Sequence, residues 1–315
     1  IVGESGCGKS ITANALMQLL PYPLRALGGT ARFDRPEGEV ELFGLSADKM
    51  RDLRGREISM IFQEPMNAFD PIFTIEFQMR EALSFHRRHR PMRCGKELSS
   101  KREMTDRALF MLNKLKIPRP EQTLKSYPHQ LSGGQLQRVM IAIALIDDPR
   151  LLIADEPTTA LDVTIQAQIL DLMNELKESR DTSIVMITHD LGVVAETCQE
   201  VAVFYAGQVA EQASVAELFH QPAHPYTSGL LRSVGSLGFL ESLESLRASA
   251  SGSARRELYA IPGVVPPGGE WSCGCRFFDR CGQKTEKCGK AMPALTEVAP
   301  GHWCRCFLHG DEADA

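Results

Sequence analysis

The chain has 315 residues, 43% hydrophobic and 24% charged, which is enough apolar material for one large cored domain or two smaller ones. Its formal net charge of -5 and pI near 6.0 lack the basic surplus that general nucleic-acid binding needs. No apolar run is long enough to span a bilayer, and the best, Val139 to Ile146, is stopped by Asp147-Asp148-Pro149.

The chain opens with Gly3-Glu4-Ser5-Gly6-Cys7-Gly8-Lys9-Ser10, a complete P-loop. Only Ile1-Val2 precede it, so most of the buried strand that feeds a P-loop is missing and the chain reads as N-terminally truncated. No signal peptide precedes the loop, and a cytosolic chain is expected. The pattern after Lys9 predicts a helix to about Leu20, ended by Pro21 and Pro23. Glu39–Phe43 and Glu57–Phe62 read as short strands, with Ser46 capping a helix between them. Gln63-Glu64-Pro65 then breaks the pattern.

From about Thr74 to Ile117 the chain reads as mostly helical, interrupted between His86 and Lys96. The basic run His86-Arg87-Arg88-His89-Arg90 reads as a solvated loop. Ser99 or Ser100 is placed to cap a helix whose stripe of Met104, Ala108, Met111, Leu112 and Leu115 is core packing. Leu131-Ser132-Gly133-Gly134-Gln135 stands just before a strongly apolar helical run and reads as a helix N-terminus offered to an anion. Leu151–Ala154, Ile165–Leu176 and Ser183–Ile187 follow as strand, helix and strand, which indicates a mainly parallel sheet covered by helices. Strands at Val201–Tyr205 and Gln208–Glu211, a helix near Val215–His220 and a linker over 235–256 complete the pass. The linker leads into a separate tail, where six of the nine cysteines lie between Cys273 and Cys306.

The chemistry follows from these placements. The P-loop glycines let backbone N–H groups surround phosphates, Lys9 reaches the β- and γ-phosphates, and the Ser10 hydroxyl binds Mg²⁺. Cys7 reads as a small loop residue contributing its N–H. Asp155 ends an apolar strand and is placed to hold Mg²⁺ through water, while Glu156 is the candidate base for the attacking water. In a cytosolic protein the cysteine density points to a metal before disulfides.

The P-loop, the Leu131–Gln135 pentapeptide and Asp155-Glu156 together resemble the ATP-binding cassette (ABC) family. His224-Pro225-Tyr226-Thr227, Ile261-Pro262-Gly263 and the cysteine tail resemble the peptide-importer ATPases within it. The resemblance implies an α/β cassette over 1–234: a mainly parallel core sheet, a small antiparallel subdomain and a helical signature subdomain at about 70–148. A Cys-rich oligopeptide-transporter-type region follows at 257–315. It assigns Gln63 to Mg²⁺ and the attacking water, and His189 to the γ-phosphate as a switch. Asp162, in Ala160-Leu161-Asp162, belongs to a dimer-interface loop. Leu131, Ser132, Gly133, Gly134 and Gln135 face the P-loop of a second cassette, so that two ATP molecules are sandwiched between two subunits.

The same resemblance implies a [4Fe–4S] cluster on Cys275, Cys281, Cys288 and Cys306, with zinc as the rival metal and Cys273 and Cys304 as extra thiols. The expected function is an ATPase that energises import of di- or oligopeptides. Its partners would be a second cassette, identical or paralogous, two membrane permeases and, indirectly, an extracytoplasmic solute-binding protein. Gln63 to Pro71 would dock a permease. The site of action would be the cytoplasmic face of the inner membrane, peripherally and without nucleic acid. A nickel or glutathione importer, a non-transport ABC ATPase and an inactive nucleotide-binding fragment are the alternatives.

Overall fold

The computed structural model describes residues 1–87, 100–159, 161–180, 182–235, 259–269, 271 and 273–309. Residues 88–90 of the basic run, Ala160, and all of the 235–256 linker but its first residue lie outside the described residues. The fold comprises two units, Ser10–Ile187, and Ile1–Lys9 together with Thr188–Ala315.

The first of these begins in α1 (Lys9–Leu16), four residues shorter than the prolines suggest. The helix ends early because Gln18 takes a left-handed φ of 50° and Leu19 N–H returns to the Asn14 carbonyl at 2.7 Å. Arg54 then donates to the Met17 and Gln18 carbonyls, both at 2.9 Å, replacing acceptor partners lost at a helix C-terminus. A two-stranded antiparallel pair follows, β1 (Arg32–Phe33) and β2 (Val40–Glu41), and then α2 (Ala47–Leu53), capped by Ser46 as expected. The second strand is shorter than its apolar pattern because its partner offers only two residues.

The central sheet has the order β3 (Ile58–Ile61), β4 (Leu151–Asp155), β5 (Ser183–Ile187), and all pairs are parallel. All four residues of β3 and the last four of β4 are buried, as a strand covered on both faces requires. Between β3 and β4 come α3 (Pro65–Ala68), α4 (Ile75–Arg87), α5 (Lys101–Lys114), α6 (Pro120–Lys125) and α7 (Gly133–Leu145). Ser100 caps α5 in a reciprocal capping box with Glu103, and the predicted stripe is buried throughout: Met104, Ala108, Met111, Leu112 and Leu115. Ile75, Met79 and Leu83 of α4 and Leu136, Val139 and Met140 of α7 are buried with it. α8 (Val163–Arg180) connects β4 to β5, making the crossover that parallel neighbours need.

In the other unit, α9 (Leu191–Thr197) leads to β6 (Glu200–Tyr205) and β7 (Gln208–Ser214), an antiparallel hairpin turning at Ala206-Gly207. Both turn residues have positive φ, 45° and 78°, as a tight hairpin turn demands. α10 (Val215–His220) and α11 (Pro225–Gly235) follow. The C-terminal region supplies α12 (Glu286–Lys290), β8 (Thr296–Ala299) and β9 (His302–Cys304). Its β9 pairs with β7, Glu211 opposite Cys304, giving a four-stranded antiparallel sheet in the order β6-β7-β9-β8. Region 257–315, expected as a separate tail, thus extends a sheet begun before the linker. The core beneath it joins Val2, Val203, Tyr205, Leu218, Tyr226 and Phe277.

Candidate nucleotide site

Val2 runs parallel to β6: its N–H donates to the Ala202 carbonyl at 3.0 Å and its carbonyl accepts from Phe204 N–H at 2.7 Å. That short bridge aims the P-loop. Gly6 and Gly8 have φ of 81° and 104°, conformations in which a Cβ is strained, so the loop can curl only with glycine at these points. Lys9 is buried, and its ammonium donates to the carbonyls of Gly3 at 2.7 Å and Glu4 at 3.1 Å. Cys7 is fully buried, and burial pushes its thiol up against the opposing pull of Lys9. Its N–H closes the loop onto the Glu4 carbonyl at 3.3 Å and its carbonyl accepts from Gly207 N–H at 2.8 Å.

Three residues predicted to contact Mg²⁺ meet in the other unit. Ser10, Gln63 and Asp155 line one cleft of about 290 Å³, together with Asn14 and Asn67. Asp155 is buried at the end of β4, so its carboxylate is presented from rigid backbone. Glu156 follows in a left-handed conformation, φ 49°, its N–H donating to the Ile187 carbonyl at 2.9 Å. That turn separates the direction of its side chain from that of Asp155. Gln63 Nε2 at 3.3 Å and Thr159 Oγ1 at 3.1 Å both donate to Glu156 Oε2. His189 stands exposed in the Thr188-containing unit, beside Asp190, which caps α9.

The pentapeptide forms the start of α7. Ser132 is the N-cap: its Oγ accepts from Gln135 N–H at 3.3 Å, and Gln135 Oε1 accepts from Ser132 N–H at 3.0 Å. The cap takes up the N–H of Gln135, and helix geometry denies those of Gly133 and Gly134 any intrahelical acceptor. Gly133 is exposed, with open space where a Cβ would stand. Leu131 is half-buried behind the cap. Asp162 caps α8 through Oδ1, which accepts from Ile165 N–H at 3.0 Å.

The C-terminal cysteines divide by position. Cys275, Cys281, Cys288 and Cys306 line one small cavity of about 10 Å³, whereas Cys273 is exposed and Cys304 lies within β9. Burial pushes the Cys275 thiol up to about 11 and raises those of Cys281 and Cys306. Gln283 N–H points at Cys281 Sγ at 3.4 Å and Thr285 N–H at Cys288 Sγ at 3.5 Å, donors that suit thiolates. Among the described residues, however, no three side chains of metal-binding type converge closely enough to hold an ion as they stand.

The sequence reading missed two side chains at the P-loop. Tyr226 Oη accepts from Glu4 N–H at 2.9 Å, and Arg280 pairs with the Glu4 carboxylate at 2.7 and 3.0 Å. Tyr226 belongs to a motif that sequence did single out, His224–Thr227, whose His, Tyr and Thr side chains are all buried. Arg280 carried no signal beyond standing next to Cys281.

A family profile described as ABC transporter matches residues 1–159, and one described as oligopeptide/dipeptide transporter, C-terminal region, matches residues 210–288. A probable peptide ABC transporter ATP-binding protein of Sinorhizobium fredii is 47% identical, over 98% of this chain and 84% of its own. The dipeptide transport ATP-binding proteins of Bacillus subtilis and Escherichia coli are 44% and 42% identical, over 86% and 87% of their lengths. Among solved structures, a dimeric ATP-binding cassette in a post-hydrolysis state with ADP and Pi is similar at a TM-score of 0.58 and 28% identity, covering 68% of this chain and 83% of that one. Their agreement with the P-loop, the parallel sheet and the capped signature helix means that the chain belongs to the ABC transporter family.

Proposed function

We propose that this chain is the ATP-hydrolysing subunit that energises import of di- or oligopeptides through separate membrane permeases. The observation that carries this reading is the union, in one chain, of the cassette motifs with a C-terminal region of the oligopeptide/dipeptide transporter type. The Gly3–Lys9 loop receives the phosphates, and Lys9 exchanges its two carbonyl acceptors for phosphate oxygens. Ser10, Gln63 and Asp155, oxygen donors gathered in one cleft, suit Mg²⁺, which would supply positive charge against the phosphates. Glu156 acts as the base toward water, its carboxylate oriented by Gln63 and Thr159. His189 faces the γ-phosphate, and the Leu131–Gln135 helix start completes the site of a second cassette, with Asp162 at the dimer interface.

On this reading a partner cassette completes each ATP site, and the chain works peripherally at the cytoplasmic face of a membrane. Among the described residues no helix is long and apolar enough to cross one. A groove of about 430 Å³ lined by Phe62, Ala68, Phe69 and Met140, beside exposed Met66, Ile72 and Phe73, supports docking of a permease at the 63–71 segment. A Glu156→Gln variant of the full-length protein should lose ATP turnover by about 100-fold or more while retaining ATP binding. Equal rates for variant and parent would remove Glu156 from this role.

The four cavity-lining cysteines are the donor set proposed for a [4Fe–4S] cluster, which would supply a redox-active or structural iron–thiolate centre. The two N–H donors aimed at sulfur support a thiolate set. Anaerobic purification should give brown protein carrying iron and acid-labile sulfide. Colourless protein loaded with zinc would sink the cluster.

A further inference from the structure

We infer that Arg280 is a positioning residue of the nucleotide site: by neutralising the Glu4 carboxylate it lets the P-loop accept a triphosphate. The inference rests on reading Gly3–Ser10 as the ATP site. Arg280 Nη1 and Nη2 donate to the two carboxylate oxygens of Glu4 at 2.7 and 3.0 Å, a two-pronged pair, while Nε donates to the Pro262 carbonyl at 2.7 Å. The Arg280 side chain is 5% exposed against 31% for Glu4, so the buried arginine holds the more accessible carboxylate. Its guanidinium lies beside the contacting rings of Tyr205 and Phe277, 5.7 and 5.9 Å from their centroids. Pairing with Glu4 raises the guanidinium pKa still further.

The Glu4 backbone is held as well. Its N–H donates to Tyr226, and its carbonyl accepts from Lys9 and from Cys7 N–H. These bonds fix the backbone that carries the carboxylate, and the Arg280 fork fixes the carboxylate itself. Left unpaired, it would put a negative charge one residue from Gly3, on a loop whose work is to receive phosphate oxygens, and like charges repel most where water is excluded. A second contact from the same region points the same way: Arg276, stacked on Trp271 at 3.8 Å, donates to the Ala206 carbonyl, and the adjoining Gly207 N–H holds the Cys7 carbonyl. On this inference region 257–315 is part of the ATP site, although Arg280 follows Glu4 by 276 residues.

The test uses the full chain with its partner cassette, fluorescent N-methylanthraniloyl-ATP for binding and ATP turnover for KM and kcat. Arg280→Gln should raise KM for ATP about tenfold with kcat within about twofold of the parent. Removing the stranded charge in Glu4→Gln/Arg280→Gln should bring KM back to within about threefold, a rescue that a packing role does not produce. Arg280→Lys, which keeps the charge but not the fork, should fall between parent and Arg280→Gln. An unchanged KM in Arg280→Gln, or a double variant no better than the single one, overturns the inference. If Arg280→Gln does not fold, a KM for Arg280→Lys equal to the parent's overturns it. A parent chain that binds no nucleotide would instead overturn the ATP-site reading beneath it.

Discussion

Ser132 has two roles that one pair of substitutions can separate. In the free chain it is an N-cap, with Oγ accepting from Gln135 N–H at 3.3 Å and its own N–H donating to Gln135 Oε1 at 3.0 Å. Ser132→Ala removes the first contact and leaves the second. The site is exposed, so the loss should be about 1 kcal/mol, within the usual range for an N-cap serine. Ser132→Asp keeps a capping oxygen and places a carboxylate at the positive end of α7, so stability should stay within about 0.5 kcal/mol of the parent. Catalysis should respond in the opposite order. If this helix start faces the phosphates of the partner's ATP, a fixed negative charge a few ångströms from them costs about 4 kcal/mol in a semi-buried setting. ATP turnover by Ser132→Asp should therefore fall at least about 100-fold, and by Ser132→Ala far less. Urea unfolding without nucleotide gives the stabilities, and turnover by the assembled cassette pair gives the rates. Parent-like turnover in Ser132→Asp would refute the placement of the pentapeptide against ATP.

Three further outcomes follow from the packing around the P-loop. Tyr226→Phe keeps the ring against Tyr205 and Phe277, at 4.7 and 5.4 Å between centroids, but strands the Glu4 N–H; unfolding should show a loss of about 1–2 kcal/mol. Gly207→Ala forces a Cβ onto a residue with φ 78°, 3.2 Å from Arg276 and 3.3 Å from Trp271, and should lower stability by about 1–3 kcal/mol in the same assay. Burial lowers the His224 pKa to about 4, and its Nδ1 accepts from Tyr226 N–H at 3.0 Å. Glu211, His309 and Arg305 are the other groups acting on it. Because the folded value lies below the unfolded 6.5, stability is unaffected above pH 6.5 and falls between pH 6.5 and 4 by up to about 3 kcal/mol. His224→Asn should flatten that part of the stability profile, and an unchanged slope would refute the assignment.

Much of the molecule was legible in local pattern. The P-loop, the capped start of α7 and the carboxylate-ending strand are short-range devices, in which a residue's role depends on neighbours a few positions away. Ser46 caps where its spacing said it would, Ser100 is the cap of the Ser99/Ser100 pair, and Ser132, read only as standing at a helix start, proves to be its N-cap. The α5 stripe is buried because a helix repeats every 3.6 residues whatever surrounds it. Boundaries were less legible. α1 stops at Leu16 through a left-handed Gln18 and an arginine from elsewhere in the chain, neither of which leaves a local mark.

Pattern by itself thus picked out the candidate phosphate-binding loop, the candidate base Glu156 and the candidate Mg²⁺ carboxylate Asp155, and it determined the parallel sheet that carries the latter. Tertiary structure alone decided what holds the loop. The pairing of β9 with β7 and the fork of Arg280 onto Glu4 join positions 93 and 276 residues apart, and contacts of that range have no periodicity to read. For the cysteines, the resemblance had already separated Cys275, Cys281, Cys288 and Cys306 from Cys273 and Cys304; that those four line one cavity is what only the fold shows.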